Sequence, residues 1–235
     1  MSSVPLFKNS YLKVKRAKSL LVELRTTIET DLKRNPPSHS VGGLIPSGPN
    51  AGLEILINFK GISDENGPIF GDIVHNLRSS LDLMACDLVK ANGGNTNNVY
   101  FPFAHNENAF MEMINRKNFH RAGQDAVDLL MGFRPYKEGN ILLRAIHDID
   151  IMDKHVNIIP IVQFVENKGH TRTIDRGKTV RKIVSLEKLN PVFLFPDTTA
   201  LAGRPLFETL EEMVELIISI LEAFSAIIIQ PIPNS

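Results

Sequence analysis

Between residues 69 and 91 the apolar side chains Phe70, Ile73, Val74, Leu77, Leu81, Met84 and Leu88 return at steps of three and four. That spacing winds them onto one face of a helix, and Asn92-Gly93-Gly94 supplies its stop. So long an apolar face must be covered by other elements, because removing it from water is what stabilises the helix. The stretch 10–35 has the same pattern in Ala17, Leu20, Leu21, Leu24, Ile28 and Leu32, ended by Pro36-Pro37. Two shorter helices are predicted near 107–117 and 124–131. A third, over 140–154, would bury Leu142, Ile146, Ile149 and Met152. A final one runs over 205–229 with Pro205 in its first turn. The connectors FPF (101–103) and RPY (134–136) are held extended by their prolines.

Strand signals are fewer. Residues 36–52 hold four prolines and four glycines and read as an irregular loop. Leu53, Ile55, Ile57 and Phe59 then alternate with Glu54, Asn58 and Lys60, which predicts a half-buried strand near 53–60. Runs rich in β-branched and aromatic residues at 156–165, 179–186 and 192–195 predict a small antiparallel sheet of three or four strands, which the 53–60 strand could join. The expectation is an α+β protein, mainly a helical bundle, with that sheet in its second half. We read 1–235 as a single domain: bundle over 10–154, β-rich segment over 156–197, and C-terminal helix over 205–229.

Composition narrows the function classes. The 235 residues carry 26 basic and 26 acidic side chains, which argues against a wholesale polyanion binder, and one cysteine, which rules out a disulfide framework or a multi-thiolate metal site. No apolar run near the N-terminus resembles a secretory core, and the most apolar segment, 216–229, is 14 residues long and contains Glu222. That is short of the roughly 20 needed to span hydrocarbon, so the expectation is a cytoplasmic chain with no membrane partner. Charge is uneven: residues 1–34 carry eight Lys or Arg against three acids, and 204–235 one Arg against five Glu. The first and last helices are therefore expected to pack antiparallel. Residues 166–188 hold seven basic against three acidic side chains, but no aromatic lies between Phe164 and Phe193 to stack a base.

Chemistry concentrates on two helices. Asp72, His75, Arg78, Ser79 and Asp82 fall opposite the apolar face of the 69–91 helix, and Cys86, mid-helix and read as inert, continues the stripe. The 140–154 helix adds Arg144, His147, Asp150 and Asp153, with His155 just beyond. Asp153 projects to the flank of the apolar face near Leu142 and Ile146, where a carboxylate needs a partner. Its satisfiers would be local backbone donors, or Arg78 and His75 from the neighbouring helix, and the second choice would join both stripes in one site. An imidazole beside carboxylates and a guanidinium can move a proton and hold a phosphate; the competing reading is a solvated face with a surface ion pair. The candidate site residues are His75, Arg78, Asp82, Asp153 and His155. Asp72-x-x-His75 has the spacing of a metal-binding pair, but the second helix offers only the reversed His147-x-x-Asp150. No metal ligand set or cofactor is assigned, and no nucleotide-binding or hydrolase motif is present.

The segments GDIVHNLRSSLDLMA (71–85), FPF, RPY and DIDIMDKH (148–155) together resemble an uncharacterised bacterial family marked by GD-x-x-HNLRS-x-LDHL, then FP, PY and DKH, over about residues 10–165. That hallmark in turn resembles the R-x4-H helix motif of HEPN nucleases. The resemblance implies a helical bundle that dimerises and acts on RNA without metal, a histidine serving the 2′-hydroxyl and an arginine the scissile phosphate. Arg78 matches the arginine, whereas the histidine position is Leu83; the one intact R-x4-H string, Arg34 to His39, crosses Pro36-Pro37. His75 or His155 would have to substitute. Three readings follow: a structural or interaction module in which HNLRS and DKH form a buried polar network; a HEPN-like homodimer binding RNA or a nucleotide through a degenerate or rebuilt ribonuclease site; and a metal-dependent hydrolase.

Overall fold

The structure is a computed structural model that describes residues 6–45, 52–153, 161–166, 171–176, 179–184 and 189–229, with side chains over 6–38, 58–153 and 191–228. Its described residues are mostly helical: α1 (Lys8–Arg34), α2 (Asn66–Ala91), α3 (Phe110–Arg116), α4 (Gln124–Phe133), α5 (Ile141–Asp153) and α6 (Leu206–Ile229), with a 3₁₀ turn at Phe119–Ala122. No described helix is long and apolar enough to cross a membrane.

The helix at the centre is α2, which packs against α1, α5 and α6. Phe70, Ile73, Val74, Leu77, Leu81, Met84 and Leu88, the face set by the spacing above, are all buried. On α1 the residues Val14, Ala17, Leu20, Leu21, Leu24 and Ile28 meet them, and on α6 Leu210, Met213, Ile217, Leu221 and Phe224 close the core. Aromatic rings join the layers edge-on: Phe101 and Phe224 each meet Phe119 at 6.2 and 6.1 Å, and Phe70 meets Phe195 at 5.7 Å. The charged helices are antiparallel, since Lys18 pairs with Glu215 at 3.2 Å and Arg25, further along α1, with Glu211 at 2.8 Å. Both pairs are solvent-exposed and worth under about 1 kcal/mol each. They set orientation more than stability.

Helix ends differ from the periodicity for local reasons. α2 begins at Asn66, three residues before the predicted start, because Asp31 of α1 accepts from the Asn66 side chain (3.1 Å) and the Ser63 N–H (2.9 Å), fixing the entry. Pro68 fits there, in a first turn whose N–H groups have no helical partner. α6 begins at Leu206 rather than Pro205. Pro205 instead bridges to Leu194 and offers its carbonyl to the Thr209 N–H at 3.1 Å, so it stands just outside the first turn.

The β structure departs further from expectation. The described strands β1 (Ser38–Ile45), β2 (Gly52–Asn58), β3 (Ile161–Glu166), β4 (Thr171–Arg176), β5 (Thr179–Val184) and β6 (Leu189–Leu194) pair only in twos, β1 with β2, β3 with β6 and β4 with β5. Among the described residues, the expected sheet of three or four strands in the second half is therefore not found, nor does the 53–60 strand join it. The sequence TRTIDR has a single aliphatic residue and lacks the apolar alternation that marks a strand covered on one face. The loop expected over 36–52 contains β1: the register slips between Val41 and Gly43, so Gly42 is absorbed as a bulge rather than ending the strand.

Candidate functional site

Three contacts fix the register of α2 against α5. Gly71 lies against Asp153, His75 against Asp150, and Arg78 against His147. Positions rise along α2 as they fall along α5, so the helices are antiparallel and their ionisable edges face each other. The FPF connector lies beside this seam, with Phe101 and Phe103 buried.

Arg78 occupies the middle of the seam and is only 8% exposed. Its Nε donates to His147 Nδ1 at 3.3 Å, Nη2 points to the Phe101 carbonyl at a long 3.5 Å, and the guanidinium lies 4.6 Å from the centre of the Phe103 ring. Nη1 is 2.6 Å from Asp82 Oδ1, one turn along the same helix. That approach is close but off-axis: among the described residues Nη1 has no partner in hydrogen-bond geometry, so the pair is held by charge more than by a directed bond. The same Asp82 oxygen accepts from the Phe101 N–H at 2.8 Å. One carboxylate thus balances the buried cation and fixes the connector. A second arginine repeats the theme, since Arg144 forms a two-pronged pair with Asp148 (3.0 and 2.6 Å) and donates to the Ala104 carbonyl at 2.6 Å.

His147 is stacked on Phe103, ring centres 4.6 Å apart and planes 8° from parallel. Burial, followed by the Arg78 and Arg144 cations beside it, pushes its pKa down to about 4 against weaker opposition from Asp148 and Asp150. The ring is therefore neutral at pH 7. Its Nδ1 must be unprotonated to accept from Arg78, which agrees with that direction.

Toward the start of α2 the site opens. His75 is half-exposed; its Nδ1 lies 2.8 Å from Oδ1 of Asp150, whose side chain is 8% exposed, and its Nε2 lies 3.3 Å from Ser79 Oγ. One turn beyond Asp150, the Asp153 carboxylate covers Gly71 so closely that a Cβ there would overlap it. Gly to Ala in a helix interior ordinarily stabilises by about 1 kcal/mol. At Gly71 that gain should be offset, because the Asp153 carboxylate must swing aside to admit a Cβ, so Gly71→Ala should be no more stable than the parent in urea titration. A variant about 1 kcal/mol more stable than the parent would show that this carboxylate is not seated there.

Of the candidate residues, Arg78 and Asp82 meet directly, His75 joins the same seam through Asp150, and Asp153 sits at the Gly71 end. His155 lies outside the described residues. Two expectations are corrected. Arg78 is not on a solvated face, because α5 and the FPF connector cover it. The acid that meets His75 is Asp150, and the one beside Arg78 is Asp82; Asp153 is two turns of α2 away from Arg78, at Gly71. His147 and Asp150, weighed in the sequence only as a reversed metal-ligand spacing, and Ser79, on the α2 stripe, lie outside the candidate set but belong to the seam. The signal available was the spacing alone: His147 and Asp150 are three apart on α5, as are Arg78 and His75 on α2, and these meet as His147 with Arg78 and Asp150 with His75.

Cys86 donates to the Val99 carbonyl at 3.6 Å, and burial, with Asp82 and Asp87 adding to it, raises its thiol pKa, so it is a poor nucleophile. Among the described residues no group of three or more His, Cys, Asp or Glu side chains is placed to hold a metal ion. Comparison with known proteins gives no match to a family model, a curated protein or a solved structure.

Proposed function

We infer that this chain is a cytoplasmic structural or interaction module, a bundle in which the HNLRS segment forms an internal polar network that fastens α5 and the FPF connector to α2. One observation carries this reading: the Arg78 guanidinium, nine-tenths buried, faces Asp82, His147, the Phe101 carbonyl and the Phe103 ring, all within the chain. A phosphate would have to displace Asp82 to reach it. In the HEPN-like reading, a homodimer binds RNA or a nucleotide through this same arginine, and with Leu83 at the histidine position it would depend on His75 or His155.

An Arg78→Lys variant separates the two. Lysine keeps the charge but lacks the planar fork that engages several partners at once. The internal network predicts a melting midpoint lower by several degrees, with retention of a labelled single-stranded RNA at low salt the same in both proteins. A variant that melts with the parent but loses RNA retention would replace this reading with the HEPN-like one.

A further inference from the structure

The geometry points to a catalytic activity at the open end of the seam, beyond the structural role proposed above: Ser79, His75 and Asp150 form a nucleophile, base and orienting acid able to take an acyl group from an ester or thioester. The order of contacts is the one such chemistry requires. Ser79 Oγ lies 3.3 Å from His75 Nε2, the other ring nitrogen lies 2.8 Å from Asp150 Oδ1, and the carboxylate is buried while the ring is half-exposed. A buried carboxylate at Nδ1 favours the tautomer with its proton there, which leaves Nε2 as the acceptor for the serine proton.

The hydroxyl's behaviour is the second observation. Helical Ser and Thr side chains commonly turn back to a carbonyl of the preceding turn. Ser19, Thr26, Thr27, Thr30, Ser80, Ser219 and Ser225 all do so here, each at 2.7–3.1 Å. Ser79, adjacent to Ser80 on the same helix, meets an imidazole instead. His75 and Ser79 are one turn apart, so the pair is built by the helix itself, and α5 brings Asp150 to it.

In the reaction, Oγ bonds to the carbonyl carbon of the acyl donor as its proton passes to Nε2. The bond from that carbon to the leaving alcohol or thiol breaks, and the departing oxygen or sulfur takes the proton from Nε2. Water then attacks the acyl-serine, giving one proton through Nε2 back to Oγ and releasing the acid. Asp150 acts through His75 as a positioning residue. The Ser79 N–H belongs to the helix ladder, so it does not turn toward the developing oxyanion, and turnover is expected to be slow. Exposure of the ring suits an acyl group presented at the surface.

A fluorophosphonate probe tests the nucleophile directly, since attack by Oγ forms a phosphorus–oxygen bond and expels fluoride. The intact protein should gain one adduct, mapped by peptide mass spectrometry to Ser79 and not Ser80. Ser79→Ala should abolish it, and His75→Gln should slow it at least tenfold. Asp150→Asn should slow it similarly and Asp150→Glu restore part of the rate, with circular dichroism melts showing which variants are folded. No adduct above that of heat-unfolded protein, an adduct elsewhere, or an unchanged rate in His75→Gln would each overturn the proposal.

Discussion

Arg78→Ala is expected to destabilise the bundle by about 3–5 kcal/mol, the range found when one partner of a buried charge network is removed. The substitution leaves the Asp82 carboxylate facing a partly buried site without its cation, leaves His147 Nδ1 without a donor, and opens space beside Phe103. For a chain of this size the loss corresponds to a fall of roughly 10 °C in melting midpoint. The surface pair Lys18–Glu215 is the contrast, because Lys18→Ala should change stability by less than about 1 kcal/mol. Chemical denaturation of both variants reads the difference. Equal small losses would mean that the Arg78 pocket is wet and exchangeable.

Mild acid is expected to destabilise the protein through His147. Its folded pKa of about 4 lies below the ordinary 6.5 of the unfolded chain, so between those values the unfolded state binds more protons. Stability attributable to a neutral ring is fully present above pH 6.5 and is lost as pH falls from 6.5 to 4, at up to about 1.4 kcal/mol per unit, or about 3 kcal/mol in all. Protonation would place a third cation between Arg78 and Arg144 and remove the acceptor used by Arg78 Nε. In a His147→Gln variant the dependence over this window should flatten. If parent and variant lose stability in parallel, other groups govern the acid response.

The helices were legible because burial on one face leaves a record in spacing: every member of the α2 set from Phe70 to Leu88 is buried, with Ala85 and Val89 added at its edge. Strand pairing left less trace. In the 38–58 hairpin, glycines that usually mark a loop are accommodated by a bulge at Gly42, and partner choice between β3 and β6 depends on residues far apart in the chain. The polar stripes on α2 and α5 could be read, but their register could not. A shift of one turn exchanges Asp150 for Asp153 opposite His75, and only packing decides between them. Arg78 was drawn toward the solvent side by projection on α2 alone; the FPF connector, which has no periodicity to reveal where it lies, covers it.

The account rests on a guanidinium of α2 and an imidazole of α5 acting as one unit, and a double-mutant cycle between Arg78→Ala and His147→Ala tests this most directly. Denaturation of the parent, the two single variants and the double variant should give a coupling energy of about 1–3 kcal/mol, as for residues sharing a buried network. Single losses that add to within about 0.5 kcal/mol would mean the two side chains act independently, contrary to the account.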